Sequence, residues 1–132
     1  MANVTLAEAV EICDAATAKA REMGIKVAVS VVDSATNLVA FHKMDGTLVL
    51  AIEASKGKAV ASVMFGQPSG ELVSRAESPV LRAVQMQMNG RFIMGQGALP
   101  ISRDGEVVGA CGVSGGTSKE DEDCARAGIG AP

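Results

Sequence analysis

The sequence predicts an α+β fold in which a central antiparallel sheet is flanked by helices. Apolar residues recur at helical intervals near both ends of the chain, and stretches that alternate as strands lie between them. The first two strands, within residues 26–44, are joined by a short turn that is too short for a parallel crossover. These observations give the element order α-β-β-α-α-β-β-β-α.

The first helix is expected to begin after Thr5, because Thr5 and Glu8 have the T-x-x-E spacing of a capping box. Apolar residues then follow the helical repeat as far as Met23. Gly24 is a typical helix stop, so the helix should end there.

A hairpin is predicted next, with strands at 26–33 and 38–44 around a turn at 34–37. Both faces of its first strand carry small or apolar side chains, so both faces of the sheet should be covered. In its second strand, alternation predicts a common face for Leu38, Ala40, His42 and Met44.

The middle of the chain is predicted to be helical. Residues 47–65 are expected to form one helix with Gly57 as its weak point. Residues 71–88 also have a helical pattern, which Pro79 is expected to break.

The last third should complete the sheet. Residues 90–102 are expected to hold one or two short strands, followed by a tight turn at 103–105 and a strand at 106–114. A final helix is predicted over 118–127, ended by Gly128.

Length and composition limit the functions that the chain could have. With 132 residues, the chain fits one domain, 1–132, and its net charge of −3 argues against a nucleic-acid partner. No apolar stretch is long enough to span a membrane, and the N-terminus does not have the pattern of a signal peptide.

The three cysteines lack metal-site spacing and the chain has one histidine, so no metal site is expected. A reducing, cytoplasmic location is the simplest expectation, with Cys111 a small buried hydrophobe.

Glycines are dense at 109–116, directly before the last helix, where phosphate loops often lie. The spacings of both common phosphate-binding motifs are absent, and four acidic residues at 120–123 follow. These carboxylates would repel a phosphate at the helix N-terminus, so that function is rejected. Two interpretations stay open: the glycines let the strand bend in a tight space, or they let a ligand approach the backbone.

Four stretches, in chain order, resemble the GlcG/HbpS family, whose members are often called haem-binding proteins and which includes the C-terminal domain of PduO-type proteins. The stretches are VSVVDSATNLVAFHKMDGT, ASKGKAVASVMFGQPS, GQGALPI and GEVVGACGVSGGTSKEDEDCARAG. The resemblance covers nearly the whole chain and implies an antiparallel sheet of about five strands flanked by helices. It also implies a homo-oligomer. Family members include haem binders, accessory proteins of catabolic operons and a lyase acting on hydroxylamino-aromatic acids.

Three residues depart from the family pattern. Thr36 stands where a glycine is usual in the hairpin turn, and a β-branched residue resists positive φ, so a different turn is expected. Thr47 replaces an alanine and Ala98 replaces a glycine, which adds bulk near the expected pocket.

The resemblance makes His42 the candidate nitrogen ligand for haem, since haem iron takes His, Met, Cys or Tyr and the chain has no tyrosine. The alternative is an exposed or half-buried strand histidine. Asp45 is either a turn residue or a carboxylate at the mouth of a pocket. Lys58 fills the family's Lys-Ala position, where it would bind a haem propionate or an acidic substrate; the alternative is a solvated helix face. The pocket is expected between the Asp45 turn, the Lys58 helix and a backbone stretch containing Gly112, Ser114, Gly115 and Gly116.

Two functions are therefore predicted. The first is a ligand-binding protein, accessory to a catabolic pathway, that holds haem or another flat acidic molecule. The second is a metal-independent lyase or isomerase acting on a small carboxylated substrate, with Lys58 as anchor and His42 or Asp45 moving protons. A structural partner of a pathway enzyme, without a ligand, is a third possibility.

Overall fold

The computed structural model describes residues 3–130 and contains one antiparallel sheet with helices on both faces. The strands are β1 (Ala28–Asp33), β2 (Leu38–Lys43), β3 (Ala98–Arg103) and β4 (Glu106–Ser114), in the spatial order β2-β1-β4-β3. The helices are α1 (Leu6–Met23), α2 (Leu50–Phe65), α3 (Pro79–Gln87) and α4 (Ser118–Ile129), with a 3₁₀ helix at Ser69–Arg75. The two ends of the predicted domain, residues 1 and 132, lie outside the described residues.

The α+β class and the antiparallel sheet are confirmed, but the described residues form four strands, not about five. The segment 90–102 contributes a single strand, which begins at Ala98. Before that point the Ile93 N–H donates to the Gly57 carbonyl of α2 at 3.0 Å. The main chain at Ile93 is thus bound to a helix, and bonding to β4 starts only at Gly97, whose carbonyl accepts from the Val113 N–H at 2.9 Å.

The start of α1 matches the predicted capping box, in which Thr5 Oγ1 accepts from the Glu8 N–H and Glu8 Oε1 accepts from the Thr5 N–H. Gly24 ends α1 with a left-handed φ of 73°. The predicted break at Pro79 is also present, although the part before it is a 3₁₀ helix. Helix α2 begins at Leu50, three residues later than expected.

Helix α4 runs through Gly128 and ends at Gly130, so the predicted stop at Gly128 was wrong. Gly128 lies where α4 crosses α1, and a methyl group there would come within 2.9 Å of the Ile12 carbonyl oxygen. This glycine therefore allows two helices to approach closely, a tertiary cause that the local sequence does not reveal.

The sheet separates two apolar layers. Val27, which directly precedes β1, and Val29 and Val31 of β1 pack with α1 and α4, whereas Val32 packs with α2. Both faces of β1 are buried, as its sequence predicted. The α2 face also holds a buried pair of hydroxyls, since Ser30 Oγ and Ser55 Oγ lie 2.8 Å apart.

A β-bulge interrupts the hairpin and changes which face the β2 side chains occupy. Val31 pairs with Ala40 and the next residue, Val32, pairs with Leu38, so Val39 is an extra residue in β2. Ala40 is thereby on the face of α1, and Leu38 is on the face of α2. The prediction that strict alternation gives these side chains one face was wrong for Leu38.

The hairpin turn contains Thr36 with a φ of 68°, the left-handed conformation that glycine favours. The expectation that threonine would force a different turn is thus not supported. Asp33 Oδ1 holds the turn by accepting from the N–H groups of Ala35 and Asn37, both at 2.9 Å. The carboxylate thereby supports a backbone conformation that threonine disfavours.

Candidate functional site

The two most buried charged groups of the described chain are Lys58 of α2 and Asp121 of α4, which pair with each other. Lys58 Nζ lies 3.4 Å from Asp121 Oδ2 and 3.2 Å from the Gln96 carbonyl oxygen. The side chains of the pair are only 8% and 5% exposed. Asp121 Oδ1 accepts from the Gly116 N–H at 2.9 Å, so the pair also fixes the loop between β4 and α4.

Burial dominates the protonation of this pair. Removal from water lowers the pKa of Lys58, although the neighbouring Asp121 carboxylate partly opposes this. Burial likewise raises the pKa of Asp121, against the opposing effects of Lys58 and the Gly116 N–H. Each partner therefore keeps its charge mainly through the other.

The glycine-rich end of β4 is filled by protein atoms. A methyl group on Gly112 would overlap the Ser55 carbonyl oxygen, which means that the glycine lets α2 lie against the strand. Gly115 has a φ of 133° and lies against the backbone of Lys26. Ser114, the last residue of β4, is buried beside Ala28. Close packing thus accounts for these glycines within the described chain.

His42 lies on the opposite face of the sheet from this cluster. It pairs with Val29 in the sheet and faces α1, where its Nε2 is 3.9 Å from Asp14 Oδ1. The imidazole is 37% exposed and borders a cleft of about 210 Å³. The cleft is lined by Thr17, Arg21, His42, Lys43, Met44 and Asp45.

The predicted pocket members therefore form two groups. His42 and Asp45 share the cleft against α1, whereas Lys58 and the glycines lie at the end of β4 on the side of α2. The described chain does not bring His42 and Lys58 into one pocket. Lys58 is also occupied by Asp121, so it has no free ammonium to offer a ligand in this arrangement.

A second cleft, of about 360 Å³, was missed by sequence reasoning. It lies between the β1–β2 turn, α2 and residues 89–93, with Thr36, Lys56 and Arg91 among its lining residues. Arg91 stands in an irregular segment without periodicity, so no local signal marked it. Lys56 of α2 pairs with Glu53, one helical turn earlier, at 3.4 Å.

All three cysteines are buried and unpaired with one another. Burial, followed by nearby Asp14, raises the pKa of Cys13 to about 11, and burial also raises the pKa of Cys111. The interpretation of Cys111 as a buried hydrophobe is confirmed. Within residues 3–130 no group of three or more His, Cys, Asp or Glu side chains has the arrangement of a metal site.

The helices of the described region do not have the features of a membrane span. None among residues 3–130 combines the necessary length and apolar character.

Comparison with known proteins gives a consistent result. A family model described as "Haem degrading protein HbpS-like" matches residues 4–130. An uncharacterized 15.0 kDa protein of Citrobacter freundii, from the dhaT–dhaS intergenic region, is 34% identical over 92% of this chain and 86% of its own length. The crystal structure of Klebsiella pneumoniae protein ORFY superposes with a TM-score of 0.90 at 31% identity, covering 98% of this chain and 91% of that one. A crystal structure of a PduOC:haem complex superposes with a TM-score of 0.87 at 26% identity, covering 99% and 96% of the two chains.

Proposed function

Since the protein belongs to the HbpS-like family, we propose that it binds haem or another flat acidic molecule at the cleft beside His42. The haem complex of a structural relative with the same fold supports this ligand class. The proposal concerns the cleft lined by His42, Arg21 and Lys43, on the α1 face of the sheet.

The observation that carries the proposal is the accessibility of the chain's only imidazole. His42 Nε2 lies beyond hydrogen-bond distance of its nearest carboxylate, that of Asp14, so the nitrogen is available to a ligand. Arg21 and Lys43 line the same cleft and supply cations suited to the carboxylates of an acidic ligand.

The size of the cleft bears on how such a ligand would be held. Its volume of about 210 Å³ is below the range of roughly 300–1,000 Å³ typical of small-molecule sites. A porphyrin would therefore be only partly enclosed by one copy of the chain. A second copy would supply the remaining contacts.

We accordingly propose that the protein forms a homo-oligomer, as its family resemblance implies. Support comes from three consecutive apolar residues that lead into α2, Leu48, Val49 and Leu50, which are 59%, 85% and 65% exposed. Helix α3 adds a second uncovered surface, because none of its residues is buried. Light scattering should give a mass above that of one chain, and Val49→Glu should lower it. A monomeric wild type would exclude the oligomer.

The proposed setting is the cytoplasm, in an accessory role to a catabolic pathway. Three free, buried thiols suit a reducing compartment. The accessory role rests on the family resemblance.

A second candidate function uses the same cleft. His42 and Asp45 line it together, and Arg21 or Lys43 would hold a substrate carboxylate beside them. A metal-independent lyase or isomerase would then use His42 or Asp45 for proton transfer. In this second function Arg21 or Lys43 takes the place of Lys58 as the anchor, because the Lys58 ammonium is already paired with Asp121.

Hemin titration of the purified protein tests the binding function. The wild type should show a sharp, saturable Soret band, and His42→Ala should abolish it or convert it to a different coordination state. Met86→Ala is the matched control, since Met86 is 80% exposed on α3 and is a sulfur ligand of the kind haem accepts. A band that survives in His42→Ala would exclude His42 as the ligand, and loss in Met86→Ala alone would move the site to α3.

A further inference from the structure

We propose that the cleft between the β1–β2 turn, α2 and residues 89–93 binds a small organic acid with one carboxylate and an apolar body. This site is separate from the cleft beside His42, because it lies against α2 on the other face of the sheet. Its volume of about 360 Å³ is within the range for small-molecule sites.

The charges of the cleft favour a monoanion. Arg91 and Lys56 contribute two cations and Glu53 one anion, which leaves one positive charge in excess. Lys56 Nζ lies 3.4 Å from Glu53 Oε2, so the carboxylate of Glu53 partly neutralises this lysine. Arg91 has no carboxylate among the partners that the described structure gives it, and its planar guanidinium suits a carboxylate in two-point contact.

Arg91 is held in place from two sides. Its segment is attached to α2 through the hydrogen bond from the Ile93 N–H to the Gly57 carbonyl. Its guanidinium Nη2 donates to Thr36 Oγ1 at 2.9 Å, across a separation of 55 residues. The arginine therefore joins the hairpin turn to the 89–93 segment and stands at the edge of the cleft.

Thr36 occupies a strained position in order to make this contact. A φ of 68° places this β-branched residue in the left-handed region, which such residues disfavour. Asn89, which also lines the cleft, has a φ of 55°. Non-glycine residues with a left-handed backbone cluster at functional sites, and here two of them line one cleft. The Thr36 hydroxyl is the group that a glycine at this turn would lack.

The remaining wall suits a hydrocarbon. Leu38 faces this side of the sheet because of the bulge at Val39, and it is 49% exposed. Val60 of α2 and Ile93 lie opposite it. An aromatic or branched aliphatic acid would bury its apolar part there while its carboxylate contacts Arg91.

Binding of benzoate, with benzamide as the neutral analogue, tests the proposal. Calorimetry on the full chain should detect binding of benzoate and much weaker binding of benzamide. Amide NMR shifts caused by benzoate should centre on Gly57, Val60 and Ile93. Arg91→Gln should weaken benzoate binding about tenfold or more, and Thr36→Val, which replaces the hydroxyl with a methyl group, should weaken it several-fold.

Arg82→Gln is the matched control, because it removes the same charge from an exposed arginine outside the cleft. It should bind benzoate like the wild type. Equal binding of benzoate and benzamide, or shifts away from the cleft, would overturn the proposal; so would unchanged affinity in Arg91→Gln. If Arg91→Gln does not fold, Lys56→Gln takes its place with the same expectation. Hemin titration is scored separately, and its failure leaves the benzoate result standing.

Discussion

Lys58 and Asp121 form a buried ion pair, 3.4 Å between Nζ and Oδ2, although α2 and α4 pack on opposite faces of the sheet. The lysine passes Gly97, directly before β3, where a methyl group would overlap its Nζ. The pair therefore ties the two helical layers together at one end of the sheet. It also fixes the loop that carries Gly116.

Removing one partner of this pair should be costly. Asp121→Asn keeps an acceptor for the Gly116 N–H but leaves the Lys58 ammonium buried without a counter-charge. We expect a loss of about 3 kcal/mol in the free energy of unfolding at neutral pH. Urea denaturation measures this loss. The double variant Lys58→Met/Asp121→Asn should recover most of it, and a double variant as unstable as Asp121→Asn would contradict the electrostatic explanation.

The loss of stability in Asp121→Asn should depend on pH in a defined direction. Burial lowers the pKa of Lys58 below its ordinary value of 10.5, so the unfolded chain binds more protons between the lowered pKa and 10.5. Stability therefore rises with pH in that window. Without Asp121 the pKa of Lys58 falls further, so the deficit of Asp121→Asn should shrink as pH rises from neutral toward 10. Paired urea titrations check this, and a deficit that grows with pH would contradict it.

Gly112→Ala should destabilise the protein strongly. The added methyl group would overlap the Ser55 carbonyl oxygen and come within 2.9 Å of the Ala59 N–H, both in the backbone of α2. We expect a loss of about 3 kcal/mol or more, seen as a lower midpoint in thermal or urea unfolding. Gly95→Ala is the control, since its methyl group would meet only Ile93 at 3.8 Å, and it should stay within about 0.5 kcal/mol of wild type.

Thr36→Gly should make the protein more stable. Glycine adopts the left-handed φ of this turn without strain, although its greater freedom in the unfolded chain offsets part of the gain. The net increase should be about 0.5 kcal/mol. Thr36→Val loses the hydroxyl bond to Arg91, as Thr36→Gly does, but keeps the strain, so it should not gain stability. Equal changes in the two variants would show that the φ angle is not the cause.

The cysteine thiols should be unreactive in the folded protein. Burial and nearby carboxylates raise the pKa of Cys13 and of Cys124 to about 11, so few thiolates exist at pH 8, about one in a thousand. Ellman's reagent should detect no fast thiol in the native state and all three after denaturation. Rapid reaction of one thiol with folded protein would contradict their burial.

Local sequence signals predicted the elements whose causes are local. The capping box of Thr5 and Glu8, which marked the start of α1, has both of its partners within one helical turn. Gly128 was misassigned because its role depends on Ile12 of another helix. The additional strand expected within 90–102 is missing for a similar reason, since the Ile93 N–H bonds to the Gly57 carbonyl of α2.

The site was less predictable for the same physical reason. His42 was recognised as the sole imidazole, and its strand was correct. Its separation from Lys58 depends on which face each element covers, and the sequence does not encode that locally. The Lys58–Asp121 pair spans 63 residues and the Arg91–Thr36 contact spans 55, so no local sequence motif predicts either contact.

The extra residue Val39 makes the hairpin a place where the length of the chain can vary. Because Val31 already pairs with Ala40 and Val32 with Leu38, deletion of Val39 restores a regular ladder without turning His42 or Leu38 to the other face. Deletion of a residue from the central strand β1 would instead reverse every side chain beyond it. Insertions and deletions among descendants of this chain should therefore collect at β2, where both clefts keep their linings.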